Sequence, residues 1–169
     1  MTIVRPEGPE DFAAVRRVNE AAFGRPEEAD LVDALRAAAR PLLSLVAVEN
    51  NRVVGHILFS PVAIESGESE SARSTALGLA PMAVLPEFQN RGVGSALVRR
   101  GLEECLRLGF PVVVVVGHPE YYPRFGFAPA RPKGLDCEYP VPDEVFMVAE
   151  LSPGALRGVR GVVKYRPEF

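Results

Sequence analysis

The chain has 169 residues, 47% hydrophobic and 24% charged, with a formal net charge of −3 at pH 7. That length suits one domain, residues 1–169, with a full hydrophobic core. The acidic balance argues against a non-specific nucleic-acid binder, and no apolar run approaches the ~20 residues of a membrane span.

The opening MTIVRPEGPEDF has neither the basic nor the apolar region of a signal peptide, so the expected location is cytoplasmic. Two cysteines, Cys105 and Cys137, form no CxxC pair, and two histidines join no metal-ligand cluster, so no metal is expected. Cys105 reads as a small core residue.

TIVRP predicts a short strand ended by Pro6. Pro9 suits the first turn of a helix, where its missing N–H costs nothing. Phe12, Val15, Val18 and Ala22 follow at helical spacing. Pro26 opens a second helix with Leu31, Leu35 and Ala38 on one face, and Pro41 stops it. LLSLVAVENNRVVGHILFSPVAI predicts a β-hairpin turning at Asn50 and Asn51, which tolerate positive φ. Residues 65–74, ESGESESARS, read as a surface loop. TALGLAPMAVL is a third strand, and Pro81 inside it predicts a bulge or break near Pro81 and Met82.

The best-defined helix starts after Gly92. Gly94, Leu97, Val98, Gly101, Leu102 and Cys105 form its apolar stripe, and Gly109 is its stop. PVVVVVG is then a strand buried on both faces, and strand–helix–strand implies a parallel crossover. PEYYPRF suggests a short helix. EVFMVAEL and RGVVKY are the last strand candidates. The expected architecture is α/β, a single mixed sheet with helices on both sides.

The loop QNRGVG lies where a strand meets a helix start. The first N–H groups of a helix lack partners within it, and the helix dipole adds partial positive charge there. Gly92 and Gly94 clear the approach to the backbone, and Arg91 adds a full charge. This pattern suits an anion such as a phosphate. A tight turn without a ligand is the plainer alternative. Neither GxGxxG nor GxxxxGK[ST] is present, so a dinucleotide or a nucleoside triphosphate is not the first expectation.

QNRGVG after MAVLPEF matches Q-x-x-G-x-G and resembles the acyl-CoA signature of the GCN5-related N-acetyltransferase (GNAT) superfamily. GHPEYYPRFGF, residues 117–127, resembles the second signature of a bacterial branch of these enzymes, and the order of elements resembles theirs from end to end. The resemblance implies a mostly antiparallel central sheet with a parallel, splayed strand pair. It implies acetyl-CoA as co-substrate. Met82, Ala83 and Val84 would offer backbone hydrogen bonds to pantetheine and the acetyl carbonyl. Gln89, Asn90, Arg91, Gly92, Val93, Gly94 and Ser95 would wrap the pyrophosphate. Arg91 or Arg124 would meet the additional phosphate.

Direct acetyl transfer to a primary amine in a ternary complex needs a neutral amine, a stabilised carbonyl oxygen and a protonated leaving thiolate. By resemblance, Tyr122 is the acid, four residues before Gly126; Tyr121 reads as packing. The strand that carries a base in several relatives has no carboxylate here. His118, His56, Glu120, Glu87 or a water chain stay open, with His118 favoured by its place at a strand end. Many relatives place an asparagine where this chain has Gly117, His118 and Pro119, a departure the bacterial branch shares. The partner is a small-molecule or peptide amine, and a homodimer is kept open. A non-catalytic acyl-CoA-binding or sensing module on the same fold is the competing reading. The region from the first helix to the second, residues 66–73 and residues 129–142 are the variable parts expected to line the acceptor pocket.

Overall fold

The computed structural model describes residues 1–67 and 73–169, so part of the 65–74 loop lies outside the described residues. The strands are β1 (Ile3–Pro6), β2 (Leu43–Glu49), β3 (Arg52–Glu65), β4 (Arg73–Val84), β5 (Val112–Val116), β6 (Phe127–Pro129), β7 (Leu135–Cys137), β8 (Phe146–Glu150) and β9 (Gly161–Lys164). The helices are α1 (Phe12–Phe23), α2 (Glu27–Ala38) and α3 (Val93–Arg107). The strands join one mixed sheet in the order β1-β2-β3-β4-β5-β8-β6, with β9 on β3 and β7 on β9. Contacts divide the chain into two compact units: residues 1–60, 80–104 and 168, and residues 61–79, 105–167 and 169.

In the first unit, β1, β2 and β3 pair antiparallel, Ile3 opposite Val48 and Leu43 opposite Phe59. The β2–β3 hairpin turns at Asn50 and Asn51, with φ of 51° and 62°. Two consecutive positive φ angles match the twist of the flanking strands, so the asparagine pair directs the turn as expected. Side chains alternate along β3. Leu58 packs with Val15, Val32 and Leu35 of α1 and α2. Its neighbour Phe59 lies against Gly101 of α3, where an added Cβ would stand 2.4 Å from Cε1. Gly55 faces the same helix, an added Cβ there meeting Leu97 and Val93 at 3.0 Å. Helices therefore cover both faces of β3, and α3 sits close because two of the facing positions lack side chains.

The α1 and α2 stripes differ in part from expectation. Val15, Val18, Ala29, Val32 and Leu35 are buried, but Phe12 is 38% exposed and Ala38 is exposed. Phe12 begins α1 and carries the Arg36 guanidinium 3.9 Å from its ring centre, so its face is covered by a cation instead of the core. Arg16 ties α1 to Asp30 and Asp33 of α2, each at 2.8 Å. Arg5 grips Asp11 through two bonds, 2.7 and 3.0 Å, and this holds the Asp11 carboxyl below the usual carboxylate range.

β4 continues through Pro81 without a break, and the Ala80–Pro81 peptide is cis. In the second unit β4 pairs parallel with β5, Leu77 opposite Val113 and Gly78 opposite Val114, which is the expected crossover. Val112 to Val115 are all buried, while Val116 at the end of β5 is exposed, contrary to expectation. α3 closes with a Schellman arrangement: the Phe110 N–H donates to Cys105 C=O at 2.9 Å and the Gly109 N–H to Leu106 C=O at 3.0 Å, with Gly109 at φ 92°. Cys105 is fully buried. β8 pairs antiparallel with both β5 and β6, and β9 pairs with β3. The 129–142 stretch is not only loop. It holds β7, which makes a second parallel pair with β9, Leu135 opposite Gly161.

Candidate functional site

In the first unit β4 delivers the chain into the loop before α3. Ala83 is buried, while Met82 and Val84 are partly exposed. The Leu85 N–H donates to Val54 C=O at 2.9 Å, so the end of β4 stays pinned to β3. A 3₁₀ turn, Pro86–Phe88, follows. The Gln89 side-chain amide donates back to Val84 C=O at 3.0 Å, which closes the loop on itself. Asn90 and Gly92 then take positive φ, 62° and 86°.

An added Cβ at Gly92 would meet no atom within 4 Å. The glycine therefore serves the backbone turn, and the space outside it is open. The ladder of α3 begins where the Ala96 N–H donates to Gly92 C=O at 3.0 Å. Val93 is buried and anchors the helix start; Gly94 and Ser95 are partly exposed. Arg91 is exposed, with its guanidinium 5.1 Å from the centre of the Phe88 ring. A fixed helix start, open backbone and a nearby cation make an environment suited to an anion.

In the second unit, the segment after β5 forms an aromatic turn. The Gly117 N–H donates to Val145 C=O at 2.9 Å. The His118 carbonyl accepts from the N–H groups of Tyr121 and Tyr122, at 3.1 and 3.3 Å. A 3₁₀ helix, Tyr122–Phe125, ends at Gly126 with φ 96°. Tyr122 is buried, and its ring meets those of Tyr121 and Phe127 edge-on, 5.2 and 5.6 Å between centres. Burial, and secondarily Tyr121, pushes the Tyr122 phenol up to about 12. It is a neutral hydrogen-bond donor at any physiological pH.

The side chains of His118 and Glu120 are exposed. Arg124 is engaged within the turn: it donates to Tyr121 C=O at 2.9 Å and stacks over the Tyr121 ring at 4.7 Å. Glu87 is 59% exposed and 3.8 Å from Arg52.

His56 takes a different part from a base. It is fully buried, with Asn19 Nδ2 3.2 Å from Nδ1 and Ser44 Oγ 2.9 Å from Nε2. An amide nitrogen can only donate, so Nδ1 accepts and Nε2 carries the proton. Burial, and then Arg36, pushes its pKa down to about 3. The imidazole is a neutral cross-link between α1, β2 and β3. Sequence reading did not find this network, because its members are 37 and 12 residues from His56. Nor did it find the Phe88 platform under Arg91, for which no sequence signal exists.

Among the described residues no group of His, Cys, Asp and Glu could hold a metal ion, and no helix is long and apolar enough to cross a membrane.

Comparison with known proteins places these elements in a family. The family model described as an acetyltransferase (GNAT) domain matches residues 4–130. The chain is 45% identical over 137 residues to the uncharacterised N-acetyltransferase YjhQ of Escherichia coli, covering 79% of this chain and 74% of that one. Its fold is similar to the crystal structure of the E. coli GNAT family N-acetyltransferase YhbS in complex with CoA. The TM-score is 0.89 at 34% identity, covering 99% of this chain and 91% of that one. It is also similar to a GNAT family acetyltransferase from Brucella melitensis in complex with acetyl-CoA. There the TM-score is 0.78 at 36% identity, covering 100% and 98%. With the family model spanning most of the chain and these relatives above 30% identity, the chain belongs to the GNAT family of acetyltransferases.

Proposed function

We propose that residues 1–169 form one acetyl-CoA-dependent N-acetyltransferase domain that moves the acetyl group directly to a primary amine in a ternary complex. The CoA and acetyl-CoA bound by the YhbS and Brucella proteins support the co-substrate. In this reading the pyrophosphate lies on the loop of residues 89–95, held by main-chain N–H groups ahead of the α3 ladder and by Arg91. Met82, Ala83 and Val84 give backbone hydrogen bonds to pantetheine and to the carbonyl oxygen. The amine nitrogen attacks the thioester carbon, the C–S bond breaks, and the sulfur leaves with the bonding pair. Tyr122 gives its proton to that sulfur, and the amine releases its own proton to His118 or to water.

The observation that carries the reading is the Tyr122 phenol, buried among aromatic rings and held protonated. Such a group donates without first losing its proton to solvent. Tyr122→Phe removes one hydroxyl and keeps the ring. Single-turnover acetyl transfer should fall by about 10²–10⁴-fold, the range of a positioned acid. CoA affinity by calorimetry should stay within about twofold, because the lost bond matters as the thiolate forms. The acceptor is found by thiol release across polyamines, amino acids, aminoglycosides and peptide amines. Parental single-turnover rates in Tyr122→Phe would remove Tyr122 as the acid. CoA binding without thiol release across the panel would favour the sensing module.

A further inference from the structure

We propose that Gly117 is a positioning residue for Tyr122: its missing side chain is what allows the phenol ring to take its place. The inference rests on the assignment of Tyr122 as the proton donor. Gly117 is not among the residues with positive φ, so its backbone does not call for glycine. The ring does. A Cβ at 117 would stand 2.4 Å from Tyr122 Cε2, 3.0 Å from Cδ2 and 3.4 Å from Cζ. The crowded edge is Cε2–Cδ2, and Cε2 is bonded to the Cζ that carries the hydroxyl.

Neither side has an easy retreat. The Gly117 N–H is bonded to Val145 C=O at 2.9 Å, and Val116 before it is paired with Phe146 across the β5–β8 ladder. The ring is bounded by Phe127 at 5.6 Å and by Tyr121 at 5.2 Å. The turn below it is tied by Arg124 to Tyr121 C=O. To move from 2.4 Å to the 3.4 Å at which ordinary contact begins, the ring edge must shift by about 1 Å. Proton donation in the transition state depends on placement at that scale, and a misplacement of ~1 Å can cost about 10²-fold.

The test is Gly117→Ala, alone and with Tyr122→Phe, followed by single-turnover kinetics, CoA calorimetry and NMR of protein carrying ¹³Cζ-tyrosine. The chain has four tyrosines, so Tyr122 is assigned by its loss in Tyr122→Phe. We expect Gly117→Ala to shift the Tyr122 resonance and to slow transfer by about 10–100-fold. CoA affinity should not change, and no further slowing should appear on the Tyr122→Phe background. Non-additivity is the signature of two residues acting through one group. An unshifted Tyr122 signal, a parental rate, or an additive effect in the double variant overturns the role of Gly117 while Tyr122→Phe alone still reports on the acid. A parental rate in Tyr122→Phe overturns the acid assignment, and the positioning role with it, even where the resonance shifts. If Gly117→Ala does not fold, Gly117→Ala with Tyr122→Leu removes the crowding. Recovered folding supports the contact, and an unfolded pair overturns it.

Discussion

Replacing His56 with glutamine tests whether the buried imidazole carries acid sensitivity in the fold. The unfolded side chain titrates near the ordinary imidazole value of 6.5, while in the folded chain burial and the Arg36 guanidinium push it down to about 3. As pH falls through 6.5 the unfolded state takes up a proton that the folded state refuses. Stability from this group is therefore intact above 6.5 and is lost progressively on acidification toward 3. Between pH 7.5 and pH 5 the loss is about 2 kcal/mol, taking about 1.4 kcal/mol per pKa unit. At pH 5 the folded imidazole is neutral for any pKa below about 4, so the figure depends little on how far burial drives it. Glutamine keeps a donor and an acceptor toward Asn19 and Ser44 but does not titrate. Urea unfolding at the two pH values gives the comparison, with the m-value held as a check on two-state behaviour. Any constant packing cost cancels in the difference. The parent should lose about 2 kcal/mol more than His56→Gln across that interval. Equal losses would refute the neutral, buried assignment.

Gly101→Ala should destabilise by about 1–3 kcal/mol in urea unfolding, the usual range for overpacking, and Phe59→Leu in the same chain should recover part of it, because the new methyl meets the Phe59 ring at 2.4 Å. Gly92→Val should fold, with a cost of about 1–2 kcal/mol from its φ of 86°, and should lose CoA binding by calorimetry; parental affinity would remove the loop as the pyrophosphate site. His118→Gln should slow single-turnover acetyl transfer by about 10²-fold, and a parental rate would leave proton removal to water.

Elements whose causes are local can be read from neighbouring residues alone. Asn50 and Asn51 make the hairpin turn because both tolerate positive φ. The Leu97, Val98, Leu102 and Cys105 stripe makes α3, and Gly109 ends it. The run from Val112 to Val115 has no polar alternation and is buried throughout. These signals lie within a few residues of the structure they produce. The loop of residues 89–95 was legible for the same reason: strand end, positive-φ glycine and helix start follow one another in the chain.

Other features depend on contacts between distant parts of the chain. β6 and β7 are three residues each, too short for any periodicity, and their partners in β8 and β9 make them strands. Pro81 breaks the local rule for a strand, yet β4 continues through it. His56 and His118 are the same residue type with opposite surroundings, one fully buried between Asn19 and Ser44 and the other exposed at a turn. Gly117 shows no backbone reason to be glycine until the Tyr122 ring is seen against it. Burial, pKa and steric crowding are set by atoms brought together from distant parts of the chain, and no window of neighbouring residues contains them.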